Sequence, residues 1–326
     1  MRENSIPVII HHVDMDGWTS AWVVTKYLRD HNVTPKIFSF NYNWSTSAIE
    51  EFLEKNIDLI DDIYLVDISL PDAFMTKYAS RITWIDHHGS AIAHVAELEA
   101  AGLQLKKNLS AEDIEGVRVS ACELCWQVFF GESSQDMPEF VHLAGRYDVW
   151  DHSDSRTLML NAYVGLHFKN SDENPPFLMK KFDRLCFATG LAIACGEGRD
   201  ALEWRKRFAA IDSARNVRIC YFDSPVGELQ VAVINAPGLD SHYFDAVLEK
   251  YPYLAMAIFF HYEPRSKNWV ISFRSLKPGF RSRDVMQETL ENAYHGSGNI
   301  LSMGGHPESC GATVKDIQPF LDLISL

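Results

Sequence analysis

Between Pro7 and about residue 90, short apolar runs alternate with stretches whose apolar residues recur at helical spacing. Residues 8–12, 35–40, 63–67 and 81–86 read as strands, and 18–29, 47–55 and 72–78 as helices. Strands separated by helices in this way predict a parallel sheet with helices packed on its faces. From there to about residue 195 the spacing is mainly helical and includes 120–130 and 137–147. The charged stretch 197–216 predicts a connecting helix, placed at 196–215 between a first domain over 1–195 and a second over 216–326. In the second, 217–222, 229–235, 254–262 and 269–274 read as strands, and 243–250 and 283–294 as helices. The expected architecture is α/β: a parallel sheet flanked by helices, then a smaller mixed α/β domain.

Length agrees with two domains, since 326 residues exceed an average single one. A hydrophobic content of 47% suffices for two buried cores. No apolar stretch approaches the roughly 20 residues that span a bilayer, and the start, Met1-Arg2-Glu3-Asn4-Ser5-Ile6-Pro7, lacks the apolar core of a signal peptide. A cytoplasmic protein with no membrane partner is expected. Its six cysteines are sparse and mostly embedded in apolar segments, which suits that compartment. Cys122 and Cys125 form the only C-x-x-C, inside a stretch of helical periodicity, and read as packing rather than as a zinc or redox pair. A net charge of −14 argues against wrapping long duplex nucleic acid, where affinity comes from neutralising many phosphates. A small anionic substrate stays open, because a local basic patch with metal ions can overrule the global sign.

Several expected strands end in groups that bind metals. The first runs into His12-Val13-Asp14-Met15-Asp16-Gly17, the third ends at Asp67 and the fourth at Asp86-His87-His88. In an open α/β sheet ligands gather beyond the carboxyl ends of the strands, so these groups are expected in one crevice. Clustered anions at that spacing call for cations. Singly, each fragment has a plainer reading: a helix-capping turn at Asp14 and Asp16, an N-cap at Asp67, a pair of surface histidines at His87 and His88. Asp86 can orient a neighbouring imidazole. Asp148 follows a helical stretch, with Asp151 as its nearest rival. Imidazole and carboxylate without thiolate suit Mn²⁺, Mg²⁺ or Co²⁺.

Together these fragments resemble the DHH phosphoesterase superfamily, named for the triplet seen here as Asp86–His88. The H-x-D-x-D-G entry at His12–Gly17, the strand-end Asp67, the later Asp148 and a glycine-histidine segment over Gly304–Gly311 stand in the family's order, across nearly the whole chain. The resemblance implies two divalent ions, usually Mn²⁺, held by His12, Asp14, Asp16, Asp67, His87 and Asp148, with Asp67 bridging and His88 contacting the scissile phosphate. The chain departs from the pattern in two places. Only Val13 separates His12 from Asp14 where many relatives have three residues, which leaves His11 as an alternative ligand, and Ser309 and Cys310 replace the usual alanines.

The second domain carries Arg274, Lys277, Arg281 and Arg283 close together in an otherwise acidic chain, a suitable anion clamp. Gly304-Gly305-His306 reads as a phosphate-sized nest or as a plain glycine turn. By resemblance, Arg274, Gly304, Gly305 and His306 bind the nucleotide end of a substrate, and His88 with Asp86 serves the reaction. The implied substrate is a short oligonucleotide or a 3′-phosphoadenosine 5′-phosphate-type phosphoester, as in oligoribonucleases. Inorganic pyrophosphatase or polyphosphatase and single-strand DNA exonuclease are the alternatives within the family, and a nucleotide-sensing or scaffold protein that kept the fold but lost the chemistry is the non-enzyme alternative. A homodimer is left open.

Overall fold

The computed structural model describes residues 5–42, 44–131, 137–168, 175–235, 241–264, 266–306 and 308–325; side chains at 175–178, 210–214, 241, 242, 245, 305 and 306 are outside the description. The chain divides into two compact units, Met1–Leu202 and Glu203–Leu326.

The first unit begins β1 (Val8–His12), α1 (Met15–Asp30), β2 (Lys36–Phe40), α2 (Ser47–Lys55), β3 (Ile63–Val66), α3 (Asp72–Tyr78), β4 (Ile82–Ile85), α4 (Gly89–Ala100) and β5 (Lys107–Asn108). These strands form one five-stranded sheet in the order β2-β1-β3-β4-β5, every pairing parallel. Successive side chains along a strand face opposite ways, and β1 obeys this. Val8 and Ile10 join a core with Leu53, Phe74 and Tyr78 of α2 and α3, while Ile9 joins one with Trp18 and Trp22 of α1. Helices on both faces leave the strand interiors fully buried, hence runs such as Ile-Tyr-Leu-Val in β3. Because β1 is flanked by β2 and β3, its two crossovers run to opposite sides, and the crevice opens at the carboxyl ends of β1 and β3.

After β5 come a small hairpin, β6 (Asp113–Ile114) with β7 (Val117–Arg118), and the helices α5 (Ala121–Phe130), α6 (Glu139–Asp148), α7 (Arg156–His167) and α8 (Pro175–Leu185). Helix α5 opens with a capping box, Ser120 accepting from the Glu123 amide while Glu123 accepts from the Ser120 amide. Cys122 and Cys125 are buried and unpaired in the α1-side core. Burial holds both thiols well above their ordinary pKa, so neither offers a thiolate.

The unit boundary falls within α9 (Ala188–Asn216). The second unit adds β8 (Arg218–Phe222), β9 (Leu229–Asn235), α10 (Ser241–Lys250), β10 (Met256–Glu263), β11 (Asn268–Ser275), α11 (Ser282–Ala293), β12 (Ile300–His306), β13 (Ser309–Val314), α12 (Gln318–Leu321) and β14 (Ile324–Ser325). Its seven-stranded sheet runs β12-β13-β11-β10-β9-β8-β14, with only the β9–β10 pairing parallel. The expected mixed α/β class holds, with a larger sheet than the periodicity indicates. Gly304-Gly305-His306, expected as an open turn, is strand instead. Gly304 pairs with Gly311 and Gly305 with Cys310, because 309–314 offers a ladder partner three residues on. No helix among the described residues is long and apolar enough to cross a membrane.

Candidate metal centre

The carboxyl ends of β1, β3 and β4 meet at one place, joined there by the last turn of α6. Asp14 is the N-cap of α1 and accepts from the Gly17 amide at 2.9 Å, which fixes its carboxylate just beyond β1. Its other oxygen lies 2.7 Å from His12 Nδ1. Asp16 accepts the first amides of α5, from Ala121 and Cys122, each at 2.8 Å. A carboxylate has about four acceptor sites, so both oxygens keep capacity for a cation.

Asp67 is fully buried and closes β3 in a left-handed conformation, φ 58°. Neither of its oxygens accepts a hydrogen bond. Oδ2 lies 3.7 Å from His12 Nδ1, and Oδ1 lies 3.5 Å from His87 Nε2 and 3.8 Å from His88 Nδ1. His87 Nε2 also approaches Asp148 Oδ2 to 2.9 Å and Asp16 Oδ2 to 3.6 Å, yet it is not aligned for a hydrogen bond with either. Buried polar atoms are almost always paired. Two orphaned carboxylate oxygens facing an orphaned imidazole nitrogen fit a divalent cation among them. Two triads with no member in common, His12-Asp14-Asp67 and Asp16-His87-Asp148, each bring one donor atom per residue within 4.8 Å of the others. Asp67 lies against both through His87, the arrangement a bridging ligand requires.

The electrostatics agree. Burial, and then the charges of Asp14 and Asp16, push the Asp67 carboxyl well above the usual carboxylate range. Burial and Asp148 raise Asp16 to about 7. Burial works against charge on His12 and His87, but the Asp14 hydrogen bond and the nearby Asp67 carboxylate hold the first at about 11, and the close carboxylates of Asp148 and Asp67 the second at about 12. Without a metal, protons neutralise the cluster; a bound ion displaces them.

Asp86 and His88 border the cluster with a different task. One oxygen of Asp86 accepts the His87 amide at 2.7 Å, the His88 amide at 3.0 Å and His88 Nδ1 at 2.8 Å. That fixes the His88 ring with Nε2 directed away from Asp86, and its side chain is 41% exposed. The Asp86 hydrogen bond raises the pKa of His88.

His11, the alternative to His12, faces the other way. It is fully buried against Trp18, donates from Nδ1 to the His12 carbonyl at 2.6 Å and accepts at Nε2 from Ser39, 3.1 Å away. Burial lowers its pKa to about 4, so it stays neutral with both nitrogens engaged. Asp151 is exposed and accepts from the Ser153 amide, outside every candidate cluster among the described residues.

In the second unit, Arg274 is the penultimate residue of β11, in register with Ser309, which is itself in register with His306. Gly304 and Gly311 border an open groove of about 350 Å³ over β11, β12 and β13. The His306 side chain and Pro307 lie outside the described residues. Arg281 is paired with Asp284, so part of the expected basic cluster is already neutralised.

Sequence reading missed the brace beneath the site. Glu123, buried in the first turn of α5, receives Arg146 and His142 of α6. Burial opposes its charge, but those two partners hold its pKa low. The pair locks the α5 turn whose amides hold the Asp16 carboxylate to the α6 turn that carries Asp148. Only the S-x-x-E capping pattern hinted at it. Glu123→Gln is expected to weaken Mn²⁺ binding about 10- to 100-fold; an unchanged calorimetric affinity would show that α6 is held without the brace. Tyr42, just beyond β2, was also missed; its ring sits 5.5 Å from that of His12.

The fold is doubly wound α/β, with a cluster of imidazoles and carboxylates at its strand ends that could hold metal ions. No protein-family model and no curated protein sequence matches the chain. Solved structures do. The DHH domain of a member of a ribosomal-protein family superposes with TM-score 0.66 at 13% identity, covering 98% of this chain and 86% of the other. RecJ from Thermus thermophilus, in complex with Mn²⁺, gives 0.56 at 13% identity over 99% of this chain, which spans about half (51%) of that RecJ. An exonuclease RecJ bound to manganese gives 0.51 at 14% identity, covering 99% and 89%. The chain shares its fold with these DHH-domain and RecJ structures and carries an Asp-His-His triplet at Asp86–His88.

Proposed function

We propose that this protein is a metal-dependent phosphoesterase that hydrolyses short nucleotide substrates, with two divalent ions, Mn²⁺ first among them, held by His12, Asp14, Asp16, Asp67, His87 and Asp148. The observation that carries this reading is Asp67: a buried carboxylate with no hydrogen-bond donor, ringed by three imidazoles. Bound there, the ions would supply a hydroxide nucleophile near neutral pH and neutralise charge on the phosphoryl oxygens.

The side chains supply the rest. Asp86 holds His88 by Nδ1 and favours its protonated form, so Nε2–H is available to a phosphoryl oxygen and stabilises the charge that builds there. Arg274, Gly304, Gly305 and His306 are assigned to the nucleotide end of the substrate. The glycines let a ligand approach the strand backbone closely, and the guanidinium suits phosphate oxygens. Both RecJ structures hold manganese, and one of the two proteins is an exonuclease, which supports the class.

A panel of pApA, longer oligomers, pyrophosphate and polyphosphate with Mn²⁺ tests this. Cleavage of pApA above the others, abolished by chelator, is expected. Preference for pyrophosphate or polyphosphate, or for long single-stranded DNA, would reassign the substrate within the superfamily. Full metal loading with no hydrolysis of any member would indicate a nucleotide-binding protein without chemistry.

A further inference from the structure

We propose that Trp150 is a stacking platform for a nucleobase beside the cation site; this rests on the nucleotide-phosphoesterase reading and narrows its substrate to one bearing a base. Helix α6 ends on the candidate ligand Asp148 and closes with the Asp151 amide bonded to the Arg146 carbonyl at 2.8 Å and the Trp150 amide to the Tyr147 carbonyl at 3.1 Å. That closure puts Trp150 in the left-handed position, φ 64°, where glycine is the common occupant. A bulky L side chain is strained there, and strain of this kind persists where the surroundings impose it, often at functional sites.

Burial does not offset the strain, because Trp150 is 55% exposed. The apolar contact that often accompanies this type of helix end is made by the following residue, which here is Asp151. Sealing the helix therefore does not explain a tryptophan. The ring borders a tier of aromatics. His152 stacks on Tyr147 with centroids 5.1 Å apart and planes 22° apart, its Nε2 donates to the Tyr147 carbonyl at 3.3 Å, and the Trp150 ring lies 5.6 Å from it.

Two residues past Asp148, the Trp150 Cα is at most about 7.6 Å from that of the ligand. A base joined through its sugar to a phosphate held at Asp148 would lie within a few ångströms of that ligand, on the same scale as this separation. Indole faces stack with any base, which gives binding without sequence preference. The site therefore takes nucleotides and short oligonucleotides in preference to base-free phosphates.

Trp150→Gly separates the two roles of the residue. Removing the left-handed strain should leave Tm equal to or above that of the wild type, with metal content unchanged. The KM for pApA should rise about tenfold, and the calorimetric Kd of pApA for the Mn²⁺-loaded protein should weaken equally, the low end of stacking worth ~1–3 kcal/mol. An abasic phosphodiester of the same length should be bound and cleaved as by the wild type, and Trp150→Phe should restore most pApA affinity. Unchanged pApA affinity in the glycine variant, or an equal loss for both ligands, overturns the platform. Hydrolysis of neither ligand by the wild type sinks the phosphoesterase reading instead, and the binding comparison still decides the role of Trp150.

Discussion

Asp67→Asn should cut phosphoester hydrolysis by about 10³-fold or more, roughly 4 kcal/mol of transition-state stabilisation, while leaving the metal-free fold as stable as before. Both halves follow from the same atoms. The left-handed backbone at Asp67 (φ 58°) suits asparagine as well as aspartate, so the main chain has no reason to move. Burial and the neighbouring carboxylates already hold the Asp67 carboxyl well above the usual range. In the absence of metal its surroundings favour the neutral form, which has the same shape as the amide that replaces it. What the variant loses is the anionic charge that a bridging ligand needs. Wild-type protein at metal concentrations near 100 times Kd should gain about 2.7 kcal/mol of stability from the ions, and Asp67→Asn should lose most of that gain. Thermal unfolding with Mn²⁺ and with chelator, alongside turnover, reads both quantities. A variant that keeps the metal-induced rise in Tm and the activity would mean that the orphaned oxygens of Asp67 are not what the ions bind.

The strand ends of the first unit were legible because each apolar run stops at a titratable residue, and parallel sheets bring such ends together. Local pattern did not reach the choice between His11 and His12. Adjacent strand residues point to opposite faces, and which face is the crevice depends on where α1 packs. The second task of Asp16 was invisible for a different reason: the α5 amides it accepts lie 105 and 106 positions away in the chain. Asp148 read as following a helix because the last turn of α6 carries polar residues; the structure makes it the final helical residue, tied through Arg146 to Glu123. In the second unit, 300–306 and 309–314 did not read as strands because glycine and serine mask the alternation. Their pairing to each other and to β11 supplies what propensity lacks.

Gly17→Ala should damage both the fold and the site. A Cβ at Gly17 would stand 2.3 Å from the His12 carbonyl oxygen, 2.7 Å from its carbon and 2.8 Å from its nitrogen. Those are backbone atoms of β1, the strand next to the crevice, and no rotamer change can clear them. Either α1 lifts off β1, uncovering part of the core around Trp18 and Trp22, or the end of β1 shifts and takes the His12 imidazole away from Asp67. Overpacking of this kind costs about 3 kcal/mol, and the second route weakens metal binding besides. Gly145→Ala is the informative companion, since its Cβ would meet side-chain atoms, Ser120 Oγ at 2.5 Å and Glu123 Cδ at 2.6 Å, beneath the same site. Unfolding in chelator gives the packing cost of each, and Mn²⁺ titration gives the cost to the site. If Gly17→Ala unfolds early yet binds Mn²⁺ as the wild type does, the close approach of α1 to β1 serves the core alone, and the His12 position does not depend on it.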